Sequence, residues 1–188
     1  MRRKPKETAR GLRLLFTGFL AACLPIYVMA EPPRRDLQST LTHEQSMGSA
    51  KADCEDLMND LIPFAEKMLV KHGEFYPYAG AMRPNGEIVW VAGYDGRERP
   101  PSMDIIRQIK GEFVNSARQG EYKATGIVYD VRVVLPETGQ KSDAVAVSLN
   151  HRDGYSVIVM VPYEMEGGKP VFGSLFAQKG EADIFPPL

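Results

Sequence analysis

The sequence predicts an α+β domain in which two helices pack on one antiparallel sheet of about six strands. Two amphipathic helical segments alternate with strand-like segments in the order α-β-β-α-β-β-β-β. The connections between the last four strands are too short for crossover helices, so neighbouring strands should run antiparallel. Each helix has one apolar stripe, and we expect a single face of the sheet to cover both stripes.

The first helix is expected to begin near Ser49 and to end at Gly73, since glycine commonly ends helices. Its apolar stripe repeats at helical spacing and consists of Leu57, Leu61, Ala65 and Met68. Pro63 removes a backbone donor, which predicts a kink or two abutting helices around Asp60.

Turn residues and apolar spacing predict the other elements. Segments 75–82 and 87–94 flank Arg83-Pro84-Asn85-Gly86, whose proline and glycine predict a hairpin turn. Ser102 is the expected N-cap of the second helix, and Gly120 closes that helix. The remaining strand-like segments are 122–135, 143–150, 155–163 and 171–177.

Residues 1–30 have the pattern of a secretory signal. Six Lys or Arg precede residue 14, and the segment from Leu14 to Ala30 has no charged residue. Ordinary signal peptidase would cleave after Ala30, whereas Leu20-Ala21-Ala22-Cys23 resembles a lipobox in which Cys23 receives a lipid. An uncleaved anchor and a mis-assigned start upstream of Met47 are further alternatives. We therefore expect export, with the protein periplasmic, secreted or held at the membrane through this segment alone.

Behind this leader we expect a disordered linker over residues 31–48 and one domain over residues 49–188. The linker segment contains Pro, Ser, Thr and Gln without apolar periodicity. Outside residues 1–30, seventeen Lys or Arg stand against twenty-three Asp or Glu, which gives a net charge of −6. Because an acidic surface repels phosphates, a nucleic-acid partner is not expected.

Three short segments carry a family resemblance. They are Leu61-Ile62-Pro63-Phe64-Ala65-Glu66-Lys67-Met68, Lys71-His72-Gly73-Glu74-Phe75 and Tyr129-Asp130-Val131-Arg132-Val133. Through them the domain resembles a widespread, uncharacterised bacterial family of small α+β domains. The element order is similar to the profilin-like and roadblock-type architectures, with a cystatin-like sheet of the nuclear-transport-factor type as the alternative. These resemblances imply a fold unit and assign no activity and no site residue.

Signatures of familiar catalytic and metal sites are absent from the sequence. It has no GxxxxGK[ST] loop, GxSxG elbow, HExxH helix or paired CxxC motif. His72 with Glu74, or His151 with Asp153, could supply two metal ligands, but neither pair has a third ligand nearby. The alternative places His72 at a helix C-terminus and His151 in a solvated turn. We expect no metal and no cofactor.

Cys54 is the single cysteine after residue 30, so no disulfide can form within the domain once a leader is removed. Its neighbours Asp53, Glu55 and Asp56 oppose thiolate formation. We expect an inert thiol, with a reactive thiol or an intermolecular bridge as the alternative.

The candidate binding residues form two groups. An aromatic group in the predicted hairpin lines either a ligand groove or the core; its members are Phe75, Tyr76, Tyr78, Trp90 and Tyr94. Asp130 and Arg132 share one face of a long strand, as a salt-bridged surface patch or as a polar site aimed into a cleft. Gly126 before them is a candidate bulge that would re-aim the strand.

The sequence favours an exported, non-enzymatic binding or interaction domain, because it offers a recognition surface without an evident reactive constellation. One form would be an immunity-like or inhibitor protein whose acidic charge suits a basic protein partner. One alternative is a small-molecule-binding or hydrolase-like enzyme with a pocket between the sheet and the second helix. A structural envelope lipoprotein, which depends on Cys23, is the other. A homodimer formed through a free sheet edge is compatible with this fold.

Overall fold

The computed structural model describes residues 34–91, 97 and 100–185, and its elements follow the predicted order with one additional strand. The helices are α1 (Arg34–His72) and α2 (Ser102–Arg118). The strands are β1 (Tyr78–Met82), β2 (Ile88–Val91), β3 (Ala124–Val134), β4 (Lys141–His151), β5 (Ser156–Glu166), β6 (Lys169–Phe172) and β7 (Phe176–Lys179). The predicted leader with Cys23, and the hairpin residue Tyr94, lie outside the described residues.

All strand pairs are antiparallel and belong to one sheet with the order β2-β1-β3-β4-β5-β6. Strand β7 pairs with Val157–Met160 of β5. It lies on the same edge of β5 that pairs with β6. The predicted last strand, 171–177, is therefore two short strands. The α+β class and the antiparallel sheet are confirmed. Pairing of two copies at a sheet edge stays a prediction.

Helix α1 begins at Arg34 rather than at Ser49, so residues 34–48 are helical where the sequence predicts a disordered linker. Side chains from residue 39 to residue 49 are exposed or partly exposed, and burial begins at Ala50. Since residues 39–49 bury no side chain fully, this part of the helix has no apolar stripe for the sequence to show. The helix is also a single one that contains Pro63, which excludes two abutting helices. Neither described helix is long and apolar enough to cross a lipid bilayer.

The two helices pack on opposite faces of the sheet, which corrects the expectation that one face covers both. In β3, Val128 belongs to the core cluster under α1, whereas its neighbour Ile127 belongs to the cluster under α2. Successive side chains of a strand point to opposite faces, so these clusters occupy the two sides of the sheet. The central strands are consequently buried on both faces and have continuous apolar runs rather than clean alternation.

Gly126 forms no bulge. It lies in regular antiparallel register, with Gly80 opposite on one side and Leu149 on the other. The absence of a side chain instead makes room for α1, because a Cβ atom at Gly126 would lie 3.0 Å from Leu61 Cδ1.

The C-terminal segment covers part of the α2 face. Ile184 is 2% exposed and belongs to the same apolar cluster as Ile109 of α2. Lys110 forms ion pairs with Glu181 at 2.7 Å and with Asp183 at 2.8 Å. Because these carboxylates are solvent-exposed, burial of Ile184 contributes more to stability than the ion pairs do.

Candidate functional site

A cleft of about 660 Å³ lies between the C-terminal end of α1, the loop after it, and the strands β1 and β3. Its volume is within the range of roughly 300–1,000 Å³ that is typical of small-molecule sites. The apolar lining consists of Phe64, Met68, Phe75, Tyr76, Pro77 and Tyr78. The polar lining consists of His72, Glu74, Ser102 and Asp130.

The end of α1 and the short connection to β1 form one wall of the cleft. Gly73 has a left-handed backbone with φ of 74°, and its N–H donates to the carbonyl of Leu69 at 2.8 Å. This arrangement ends α1, because residues with a side chain rarely adopt that conformation. The chain enters β1 at Tyr78, so residues 74–77 line the cleft together with the last helical turn.

Tyr78 is the centre of an aromatic cluster. The centre of its ring lies 4.9 Å from the ring centre of Phe64 and 5.9 Å from that of Phe75, both in edge-on contacts. The same ring stacks on Trp90 with a distance of 5.7 Å between ring centres. The Tyr78 hydroxyl donates to the carbonyl of Leu61 at 2.8 Å. Burial raises the pKa of the Tyr78 phenol, which therefore stays a neutral donor. These contacts hold the aromatic wall in one arrangement.

The predicted aromatic residues divide between core and surface. Tyr78 is 7% exposed, whereas Tyr76 and Trp90 are each 49% exposed. Tyr76 lines the cleft, and Trp90 lies beside it through its stacking on Tyr78. Their binding role stays a prediction, but their position gives the cleft accessible ring surface.

Asp130 contributes a carboxylate to the polar side of the cleft. Its Oδ1 accepts a hydrogen bond from the hydroxyl of Tyr163 at 3.1 Å. Asp130 is an exposed residue of β3. Partial desolvation by its neighbours raises the pKa of its carboxyl, and the charges of Asp143 and Glu74 act in the same direction, whereas hydrogen bonds from Tyr163 and from the backbone of Val131 oppose the shift. Burial and the charge of Asp130 likewise raise the pKa of Tyr163. The cleft therefore has a locally negative potential near Asp130.

Arg132 shares a strand face with Asp130 but does not line the cleft. Its Nε donates a hydrogen bond to Oδ1 of Asp143 at 3.0 Å. Asp143 is the residue of β4 that lies directly opposite Arg132. Both side chains are largely exposed, so the pair contributes little to stability. The structure thus separates the two predicted residues into a cleft carboxylate and a surface ion pair.

Sequence reasoning missed several cleft residues. Phe64 lies outside the stripe that the periodicity assigned to the core, and an accessible aromatic residue on a helix was the available signal. The predicted N-cap role of Ser102 is wrong, because Pro101 is the N-cap of α2 and no side chain donates or accepts a capping hydrogen bond there; Ser102 lines the cleft instead. Tyr163 could not be associated with Asp130, because their proximity depends on the registers of β3, β4 and β5.

A second polar cluster lies at the opposite end of β3 and corrects the expectation of a solvated His151. That side chain is buried, with Nε2 3.2 Å from Asp53 Oδ2, and Nδ1 accepts the backbone N–H of Asp153 at 3.1 Å. Lys123 Nζ donates to Asp53 at 2.8 Å, and Ser46 donates to Asp153 at 3.0 Å. Burial lowers the pKa of His151. The cluster ties α1 to the β4–β5 hairpin and is fully hydrogen-bonded, which is typical of a structural role.

Cys54 is buried beside this cluster. Burial raises the pKa of the Cys54 thiol to about 12, and the charges of Asp53 and Glu55 contribute in the same direction. An uncharged thiol is a poor nucleophile, so the inert interpretation is supported. Among the described residues, no group of three or more His, Cys, Asp or Glu side chains could hold a metal ion.

The interface between the sheet and α2 is occupied by side chains. Its buried helical residues are Ile105, Ile106, Ile109, Phe113 and Ala117. The cleft lies instead at the end of α1 and reaches α2 only through Ser102. The cleft is therefore not at the place that the small-molecule-binding or hydrolase-like alternative predicts, and that alternative stays a prediction.

Comparison with known proteins finds no matching family model, no matching curated protein and no matching solved structure.

Proposed function

We propose that the protein is an exported binding domain and that the cleft at the C-terminal end of α1 is its recognition site. The observation that carries this proposal is the combination in one cleft of about 660 Å³ of an aromatic wall with the carboxylates of Glu74 and Asp130. Ligand sites are usually concave and mostly apolar, with a few polar groups that fix orientation.

The position of the aromatic rings supports recognition over simple core packing. A residue needed only for the core would be buried, yet Tyr76 leaves half of its surface accessible at the cleft. The buried ring of Tyr78 and its hydrogen bond to Leu61 hold the neighbouring wall rigid. A preformed wall reduces the entropy that a ligand must lose on binding.

The exported location is part of the proposal and derives from residues 1–30 alone. The basic start and the uncharged segment up to Ala30 have the order of a secretory signal. Intact mass of the cellular fractions tests it directly. A chain starting at Glu31 in the soluble fraction supports secretion, a lipidated chain starting at Cys23 supports tethering, and an intact leader on cytosolic protein contradicts export.

Trp90 provides the binding measurement, because it is the only tryptophan in the chain and stacks on Tyr78 at 5.7 Å. A fragment set with cationic, neutral and anionic members is screened by Trp90 fluorescence, and hits are placed by backbone amide shifts in NMR. We expect hits whose shifts centre on residues 74–78 and whose binding is lost in Tyr76→Ala. Val134→Ala, another exposed apolar truncation, is the matched control. A screen in which no fragment of any charge binds the cleft contradicts the proposal.

A further inference from the structure

We propose that the cleft binds an organic cation, with an ammonium or guanidinium group held between the carboxylates of Glu74 and Asp130 and the faces of the aromatic wall. This inference rests on the proposed binding function and names the ligand class of the same site. The charge of the lining, the ring surface and the hydrogen-bonding state of Asp130 support it independently.

Glu74 and Asp130 are the acidic side chains of the described lining. Within the described part of the chain, no Lys or Arg lines the cleft, and none forms an ion pair with Glu74 or Asp130. The C-terminal turn of α1 also reaches the cleft through Met68 and His72. The end of a helix at which carbonyls are unpaired has roughly half a negative elementary charge, which favours a cation.

The N-terminus of α2 contributes a positive charge to the cleft that is smaller than the charge of the carboxylates. Ser102 is the first residue of α2, so the positive end of that helix lies at the cleft. That end has about half a positive charge, against two full carboxylate charges. Among the described lining residues, the charge of the two carboxylates exceeds this contribution.

The ring surface suits the same ligand. A cation within about 6 Å of an aromatic ring centre is attracted by the negative face of the ring. Tyr76 and Phe64 both line the cleft and both keep accessible ring surface. A neutral ligand of equal size would gain apolar contact but would desolvate Asp130 without giving it a partner. An anion would meet both carboxylates at close range.

Asp130 retains acceptor capacity for a ligand donor. The hydroxyl of Tyr163 and the backbone of Val131 occupy two acceptor positions of its carboxylate, whereas an ionised carboxylate offers about four such positions. Tyr163 also fixes the orientation of the group, since its hydroxyl holds Oδ1 in place. A guanidinium or primary ammonium group can therefore donate an N–H to Asp130 without breaking the existing hydrogen bond, whereas a quaternary ammonium such as choline has no N–H and is attracted by the carboxylate charge alone.

The test compares three probes of one shape and different charge, followed by Trp90 fluorescence and confirmed by calorimetry. Choline is the cation, 3,3-dimethylbutan-1-ol is its uncharged isostere, and 3,3-dimethylbutanoate is the anion. We expect choline to bind at least about tenfold more tightly than the alcohol, as a charge-assisted interaction would give, and the anion to show no binding.

The outcomes separate the ligand class from the binding function. If the alcohol or the anion binds as tightly as choline at residues 74–78, the cation inference is overturned and the binding function stands. The inference is equally overturned if no cation binds while neutral or anionic fragments do. If no fragment of any charge binds the cleft, both proposals fail.

Carboxylate variants localise the charge effect. Asp130→Asn keeps an oxygen that can accept from Tyr163, and it should weaken choline binding about tenfold while leaving the binding of the alcohol unchanged. Glu74→Gln is a second variant for the case that Asp130→Asn does not fold. Asp60→Asn removes the same charge from the exposed side of α1 and is the matched control. Equal choline affinity in all three variants and the wild type overturns the inference.

The ammonium or guanidinium group that the cleft binds can belong to a free small molecule or to a basic side chain of a protein. Terminally blocked Gly-Gly-Lys-Gly-Gly and Gly-Gly-Arg-Gly-Gly peptides are therefore titrated beside choline. Peptide binding at least about tenfold tighter than choline binding identifies a protein side chain as the source and fits the basic partner that the acidic domain suggests. Tighter binding of choline identifies a free cation.

Discussion

Gly80 and Gly126 lie directly opposite each other in β1 and β3, and neither has room for a side chain beneath α1. A Cβ atom at Gly80 would lie 2.8 Å from Leu61 Cδ2, and one at Gly126 would lie 3.0 Å from Leu61 Cδ1. The side chain of Leu61 thus fills the space that two absent side chains leave. The carbonyl of the same residue accepts the Tyr78 hydroxyl, so this close approach also positions the wall of the cleft.

Gly80→Ala and Gly126→Ala should each lower the free energy of unfolding by about 1–3 kcal/mol, because the added methyl group overpacks the core. Urea denaturation measures the change. Gly111→Ala is the control, since an added Cβ there has no atom within 4 Å; in a helix it should stabilise by about 0.5–1 kcal/mol. In the double variant Gly80→Ala with Leu61→Ala, the cost of the alanine at position 80 should largely disappear, because the next nearest atoms lie at 3.4 Å. Additive losses would show that Leu61 is not the residue in the way.

The sequence predicted the sheet well because its determinants are local. Turn residues such as Gly86 and Gly154 and the apolar runs between them mark where strands begin and end. The sequence does not indicate on which face of the sheet each helix packs. Tyr78 and Ala79 are both buried, one under each helix, so an apolar run in β1 does not indicate that helices cover both sides.

The candidate site was predictable only in part. Exposed aromatic residues in a hairpin indicated Tyr76, and an acidic residue in an apolar strand indicated Asp130. Their convergence with Phe64 depends on how α1 crosses the sheet, which no local pattern contains. The prediction of a solvated His151 was wrong for a related reason. A helix distant in sequence buries this residue, and the residues next to His151 in the sequence do not indicate that burial.

His151 should make stability depend on pH. Burial lowers its pKa in the folded state although Asp53 and Asp153 oppose the shift and Arg152 favours it, so the unfolded chain binds the proton more readily. The contribution of His151 to stability is therefore complete above the ordinary histidine pKa near 6.5 and is lost as pH falls below it. The loss should not exceed about 1.4 kcal/mol per pH unit.

Denaturation between pH 5 and pH 8 checks the histidine assignment. His151→Gln should remove most of the stability slope in this range. His72→Gln changes a histidine at the exposed end of α1 and should keep the slope. An unchanged slope in His151→Gln would assign the pH dependence to other groups.

Ile184→Ala should lower the free energy of unfolding by about 2–5 kcal/mol, the usual range for a buried isoleucine. Ile184 is 2% exposed in the α2 cluster, whereas Leu175 is 60% exposed, so Leu175→Ala should cost less than about 0.5 kcal/mol. Removal of the Lys110 ion pairs by Lys110→Gln should also cost under about 1 kcal/mol. Equal losses for Ile184→Ala and Leu175→Ala would show that the C-terminal segment does not anchor α2.

Asp130→Asn should stabilise the fold near neutral pH while weakening cation binding. Partial desolvation raises the pKa of Asp130 although the residue is exposed, so its charged form is disfavoured in the folded state relative to the unfolded chain, and solvent screening keeps the effect small. Its contribution to stability is complete below the ordinary aspartate pKa and is lost as pH rises through the higher folded value. The stability advantage of the variant should therefore grow across that window and stay constant above it.

Denaturation at pH 3, 5 and 7 measures the difference in stability between Asp130→Asn and the wild type, with Asp60→Asn as control. A carboxylate kept at a cost in stability is what a binding site requires, and a variant less stable than the wild type at pH 7 would instead give Asp130 a structural role.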